Sequence, residues 1–239
     1  MTDPYNHIFY MKPDLLVRQF YDGVRFSDWT SAGTLNMARN QEARMFAEEL
    51  RNIGRKRPAV QVTSFGIGAA DLERRIFQMK NMPRISLTGY DMSPNMLRQA
   101  RQNLQTAGLR DFVLLEADIA SLSLPQRQTD AVLCQHVLCH IPDDQLGGMI
   151  GQVTRSLRPG GRFIFSEITN PNERMRPSVL YRYPQPGDRF LRARLQALET
   201  RRSQQSLWNL VVNAGLKVIR VENFASDAMF VSAEKTYEN

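Results

Sequence analysis

From about residue 59 onward, short apolar runs alternate with helix-like runs, and this alternation constrains the fold more than any other feature of the chain. The candidate strands are AVQVTSF, RISLTGY, DFVLLEA, DAVLCQ and RFIFSE, each short, apolar and rich in β-branched or aromatic residues. Strands separated by helices must cross over to pair, so the pattern predicts a mostly parallel sheet with helices on its faces. The helix ends agree. Ser93 and Pro94 supply an N-cap followed by proline at the first helical position, Met96, Leu97, Ala100 and Leu104 form an apolar stripe, and Gly108 ends the helix. Asp143 is placed to cap a second helix, in which Leu146, Ile150, Val153 and Leu157 recur at helical spacing. The Pro159-Gly160-Gly161 turn then returns the chain to the sheet. Near the C-terminus, LWNLVVNAGL reads as a helix closed by Gly215, and KVIRV and AMFVSAEK read as an antiparallel hairpin finishing the sheet.

Two regions fall outside this pattern. Residues 1–57 read as a helical N-terminal cap, with Ala43, Phe46, Ala47 and Leu50 on one face and an aromatic group of Tyr5, Phe9, Tyr10, Phe20, Tyr21, Phe26 and Trp29. Residues 170–202 are rich in proline and arginine and interrupt the alternation, so the main domain, 58–239, carries an insertion there. The formal net charge of +7 fits an anionic partner, but the arginines are dispersed and form no nucleic-acid module. Two cysteines, Cys134 and Cys139, are too few and too close for a disulfide framework, and the N-terminus lacks the apolar core of a secretory signal. A reducing, cytoplasmic setting without a membrane span is expected.

In an open α/β sheet the ligand crevice lies outside the carboxyl ends of the strands, where strand order reverses. Those ends carry Gly66 and Gly68, then Asp91, then Asp118, then Gln135 and His136, and finally Glu167. An acid closing the second strand and another closing the third suit a nucleoside: one for the ribose hydroxyls, one for the adenine amine. Nicotinamide dinucleotide sites also place an acid on the ribose, so the glycine turn has to decide. A pyrophosphate would sit over the helix N-terminus, where Asp71 places a like charge, whereas a ligand with a sulfonium and an amino group tolerates that carboxylate. This argues for S-adenosylmethionine.

Five ordered segments resemble the class I S-adenosylmethionine-dependent methyltransferases, particularly the small-molecule group that includes ubiquinone and menaquinone biosynthesis enzymes. TSFGIGAADLE matches the glycine loop, LTGYDMSPNML the ribose segment, LLEADIASLSLP the adenine segment, TDAVLCQHVLCHIPD the fourth strand and SLRPGGRFIFSE the fifth. The resemblance implies an α/β fold: a Rossmann-like seven-stranded, mostly parallel sheet with helices on both faces and the helical N-terminal cap. It implies Gly66 and Gly68 beside the methionine part of the cofactor, Asp91 on the ribose, and Asp118 near the adenine amine with Met92 and Ile119 flanking the ring. Ser64, Asp71 and Gln135 complete the expected cofactor contacts. The family usually has an acid where Ser64 stands and a third glycine where Ala70 stands. Ser64 cannot neutralise an ammonium, so the expectation is either weaker binding of the methionine tail or a contact borrowed from Asp71. The activity implied is O-, N- or C-methylation of a small-molecule acceptor. RNA or protein methylation is an alternative favoured by charge, although the fourth strand lacks the Asn/Asp-Pro-Pro-aromatic motif of many base-amine methylating enzymes. The altered loop leaves a cofactor-binding role without methyl transfer as another.

CQHVLCH places Cys134, His136, Cys139 and His140 within seven residues, all zinc-ligand types. A strand points alternate side chains to opposite faces, so no metal site is expected and both cysteines are assigned to the core. His136 follows the fourth strand at the crevice mouth and is the candidate general base, with His7 as runner-up. Tyr10, Tyr21 and Trp29 of the cap, with His140, Glu167 and Arg182, are the expected acceptor contacts, and arginines such as Arg182 suit an anionic acceptor.

Overall fold

The computed structural model describes residues 33–169, 202–225 and 228–237. Along them run α1 (Gly33–Gly54), β1 (Ala59–Phe65), α2 (Asp71–Phe77), β2 (Arg84–Asp91), α3 (Pro94–Thr106) and β3 (Phe112–Glu116). There follow β4 (Thr129–Gln135), a 3₁₀ turn (Leu138–His140), α4 (Asp143–Ser156), β5 (Leu157–Ile168), α5 (Gln204–Asn213), β6 (Leu216–Ala225) and β7 (Ala228–Lys235). The strands form one seven-stranded sheet in the order β3-β2-β1-β4-β5-β7-β6. Pairing is parallel from β3 through β5, and β7 runs antiparallel to both β5 and β6. Strand order therefore reverses between β1 and β4, and the crevice lies at their carboxyl ends.

Each central strand is covered on both sides, which is why it reads as a continuous apolar run. Ala131 and Leu133 of β4, Ile164 of β5 and Phe230 of β7 face one core, together with Ala43, Phe46, Ala47 and Leu50 of α1, Ile76 of α2 and Leu104 of α3. Val132, Cys134, Phe163, Phe165 and Val231 face the other, with Leu146, Ile150 and Val153 of α4 and Leu207 and Val211 of α5. The apolar face expected of the 43–50 segment is thus one layer of the first core. Phe46 meets Phe230 edge-on, with ring centroids 5.2 Å apart.

The expected helix start at Ser93 is present: its side chain accepts from the Met96 N–H at 3.1 Å, and Gly108 follows in the left-handed conformation. Asp143 differs from expectation. Pro142 occupies the cap position without a side-chain bond, and Asp143 is the first helical residue, held by Arg202 at 2.6 Å. A long-range ion pair has displaced the local capping preference. Leu157, expected on the α4 stripe, is buried as the first residue of β5. The Pro159-Gly160-Gly161 segment lies inside β5, where the register against β4 slips between Thr129 and Ala131.

Candidate active site

The turn leaving β1 passes through three left-handed residues: Gly66 at φ 55°, Gly68 at 54° and Ala70 at 59°. Ala70 adopts at some cost the conformation a third glycine would take freely, about 1 kcal/mol. A Cβ at Gly66 would strike Val137 Cγ2 at 2.5 Å, so this glycine packs against the loop after β4. A Cβ at Gly68 would meet only the Gly66 carbonyl, at 4.0 Å, so the space over that residue is open. Asp91 lies beside it. Its Oδ2 accepts from the Gly68 N–H at 2.8 Å and its Oδ1 from the Ser93 N–H at 2.9 Å, so the acid closing β2 braces the glycine turn. The Ala117 N–H donates to the Asp91 carbonyl at 3.0 Å, and Asp118 accepts from the Ala120 N–H at 2.9 Å. The glycine turn and both acids named from the sequence therefore meet along one edge of the sheet. Met92 is half-buried there and Ile119 is buried.

The departures from the family pattern have structural counterparts. Ser64 is buried and donates its hydroxyl to Glu73 Oε1 at 2.6 Å. A carboxyl group therefore does stand beside β1 at this point, carried by Glu73 in the first turn of α2. Burial pushes Glu73 up to about 7, against bonds from Ser64 and its own backbone, with Asp71 adding to the rise. Asp71 is held by Arg74 at 2.7 Å, Arg75 at 2.9 Å and Arg39 at 3.6 Å. With three guanidiniums around it, Asp71 is the more compensated of the two acids.

Across the reversal point, the chain leaves β4 at His136, which has a left-handed φ of 54° and donates its N–H to the Ser166 carbonyl at 2.9 Å. His136 Nε2 lies 3.1 Å from Glu42 Oε1, while Nδ1 is buried and has no hydrogen-bond partner among the described residues. Glu42 comes from α1, is almost completely buried, and also accepts from Gln135 Nε2 and Ser166 Oγ. Burial opposes a charge on His136, but Glu42 and then Glu167 outweigh it and hold the ring above its ordinary pKa, with Arg39 acting the other way. Glu42 is held low: burial would raise it, but His136 and the three hydrogen bonds prevail. Glu167 accepts from the Cys139 N–H at 3.1 Å and the Ile168 N–H at 2.9 Å, and its burial pushes it up. His140, displaced first by burial and then by the His136 charge, falls to about 4 and is neutral near pH 7. Arg202 fixes this loop by donating to the Leu138 and Ile141 carbonyls, each at 2.7 Å.

His136, Gln135, His140 and Glu167 are therefore neighbours at one end of the sheet, as their strand-end positions implied. Tyr10, Tyr21, Trp29 and Arg182 lie outside the described residues. Both cysteines are buried, and burial together with Glu167 pushes the Cys134 thiol well up, which suits a core residue. Among the described residues no group of three His, Cys, Asp or Glu side chains converges as a metal site. No helix there is long and apolar enough to cross a membrane. Glu42 and Glu73 were missed in the sequence. The signal for Glu42 is an acid on the apolar helical stripe, three and four residues before Met45 and Phe46.

Residues 62–161 match the methyltransferase domain family. The resemblance to class I S-adenosylmethionine-dependent methyltransferases of the small-molecule group is thereby borne out. The chain is 36% identical over 92 residues to a ubiquinone/menaquinone biosynthesis C-methyltransferase of Syntrophotalea carbinolica, covering 37% of this chain and 38% of that protein. It is 29% identical over 135 residues to a trans-aconitate 2-methyltransferase of Methylobacterium nodulans, covering 56% and 48%. The chain thus matches less than half the length of either relative. Magnesium protoporphyrin IX methyltransferase from Synechocystis PCC 6803, solved with bound S-adenosylmethionine, shares the fold with a TM-score of 0.67. That likeness covers 95% of this chain and 98% of that one at 16% identity.

Proposed function

We propose that the protein transfers a methyl group from S-adenosylmethionine to a small-molecule acceptor. The observation that carries this reading is the Asp91 carboxylate bridging the Gly68 and Ser93 N–H groups beside the open space over Gly68. An acid bonded directly to a turn with open space above it supports this reading, because it could accept from hydroxyls while the turn leaves room for the methionine part. Gly66 and Gly68 would flank the methionine part, Asp91 would take the ribose hydroxyls, and Asp118, Met92 and Ile119 would hold the adenine. The cofactor supplies an electrophilic methyl on a sulfonium. Because the displacement is in line, the protein's part is to hold the acceptor at attack distance and accept its proton where it has one to lose.

His136 is the base in this reading, and His140 and Glu167 form the adjoining wall of the acceptor site. Residues 1–57 would serve as its cap, with Tyr10, Tyr21 and Trp29 toward the acceptor. The insertion 170–202 would bring Arg182, which suits a carboxylate or phosphate on it. A second reading, cofactor binding without methyl transfer, is favoured by the altered turn with Ser64 and Ala70. Two measurements separate them. Calorimetry with S-adenosylmethionine, S-adenosylhomocysteine and NAD is expected to show binding of the first two only. Incubation with methyl-labelled cofactor and a metabolite extract is expected to give a labelled small product, and tight binding with no labelled product would select the second reading.

A further inference from the structure

We propose that Glu42 is a positioning residue that fixes the ring of His136 so that Nδ1, and not Nε2, is the atom that receives the acceptor's proton. The proposal rests on the reading of His136 as the base and adds to it a residue outside the matched stretch 62–161. Glu42 Oε1 faces Nε2 at 3.1 Å. A carboxylate only accepts, so the neutral ring must carry its proton on Nε2 and leave the Nδ1 lone pair free. Nδ1 is the ring atom without a partner among the described residues. The backbone agrees: the left-handed φ of His136 is held by its N–H bond to the Ser166 carbonyl, and Ser166 in turn donates its hydroxyl to Glu42. One carboxylate thus sets both the main-chain bend and the ring that projects from it.

The acceptor's O–H or N–H bond breaks with its proton passing to Nδ1, and the freed electron pair forms the bond to the methyl carbon. The carbon–sulfur bond electrons return to sulfur, leaving a neutral thioether and an imidazolium. Glu42 on α1 and Glu167 on β5 favour that imidazolium, whereas Arg39 on α1 opposes it. The His140 ring on the 3₁₀ turn is coupled to it as well and stays neutral near pH 7.

The test uses the full chain labelled with ¹⁵N in its histidine rings. Without any acceptor, neutral wild-type His136 is expected to show a protonated Nε2 and an unprotonated Nδ1. Glu42→Gln keeps an oxygen that accepts from Nε2 but removes the charge, so the His136 titration should move down by about 1 to 3 pH units. Single-turnover methyl transfer should follow: the rise of rate with pH shifts to lower pH in Glu42→Gln, and its plateau falls as the base weakens. A helix contact that merely stabilises the fold would move neither midpoint. A proton on Nδ1 in the neutral wild-type ring, which needs no variant to observe, overturns the assignment. So does an unmoved titration in Glu42→Gln, even where His136→Ala abolishes transfer. Full activity in His136→Ala overturns the base reading itself, whatever the ring's tautomer, and this proposal with it.

Discussion

Glu73→Gln isolates the buried acid that stands beside β1. Glu73 is 2% exposed, so its shift translates into stability with little discount for solvent screening. Burial raises it from the ordinary 4.5 to about 7. The folded protein therefore holds this proton more tightly than the unfolded chain does. For an acid shifted in this direction, the stabilisation is fully present below pH 4.5 and is lost as pH rises through 7. The 2.5-unit interval amounts to about 3 kcal/mol. Glutamine matches the protonated acid in shape, and its carbonyl still accepts from Ser64, but it does not titrate. The stability difference between variant and wild type should swing by about 3 kcal/mol in the variant's favour between about pH 4.5 and pH 8. Taking the difference cancels the titrating groups that do not interact with Glu73. Urea unfolding of both proteins across that range measures it. Parallel stability curves would refute the reasoning, because they would mean that Glu73 ionises as freely in the fold as in the unfolded chain.

With Asp91 as the proposed acceptor from the ribose hydroxyls, Asp91→Ala should weaken S-adenosylmethionine binding by about 1.5 to 3 kcal/mol in calorimetry; unchanged affinity would remove Asp91 from the site. Gly66→Ala combines a left-handed φ with a Cβ 2.5 Å from Val137 Cγ2, and a loss of about 2 kcal/mol or more is expected in denaturant unfolding. His136→Ala should slow single-turnover transfer by about 10²- to 10⁴-fold with little change in cofactor affinity, and an equal rate with the wild-type pH profile would leave it as a wall of the pocket.

The centre of the sheet was legible because its strands are buried on both faces and therefore announce themselves in short runs of apolar residues. The strand ends were legible for a related reason: a polar residue closing such a run, as Asp91 and His136 do, stands out against it. What was not legible depends on partners distant in sequence. Asp143 has the right chemistry to cap α4, but Arg202, 59 residues later, takes its carboxylate instead. Asp71 stands out in the sequence as an acid after the glycine turn, yet its three arginines come partly from α1, and that docking has no local trace. Glu73 closes the TSFGIGAADLE segment, two residues beyond Asp71, and nothing local marks it as different from a solvated helix acid. It is the bond to Ser64, nine residues back, that gives Glu73 its meaning.

A helix outside the matched stretch 62–161 delivers the Glu42 side chain to His136. The contacts of α1 with the sheet are partly apolar, as at Phe46 and Phe230, and apolar packing is non-directional enough to tolerate a slide along the helix axis. Two buried acids on the same face do not tolerate it. Glu42 accepts from Gln135, His136 and Ser166, whereas Glu49, two turns and about 10 Å further along, accepts from Arg162, Arg220 and Ser232. Moving α1 by one turn would strand both carboxylates in the core without their donors and leave Arg162 short of one, a cost of several kcal/mol for each uncompensated charge. The pair of acids therefore makes the position of α1 discrete. The Glu49 cluster, two turns along from Glu42, bonds the same helix to β5, β6 and β7, so the register that brings Glu42 to His136 is also held by these more distant ion pairs.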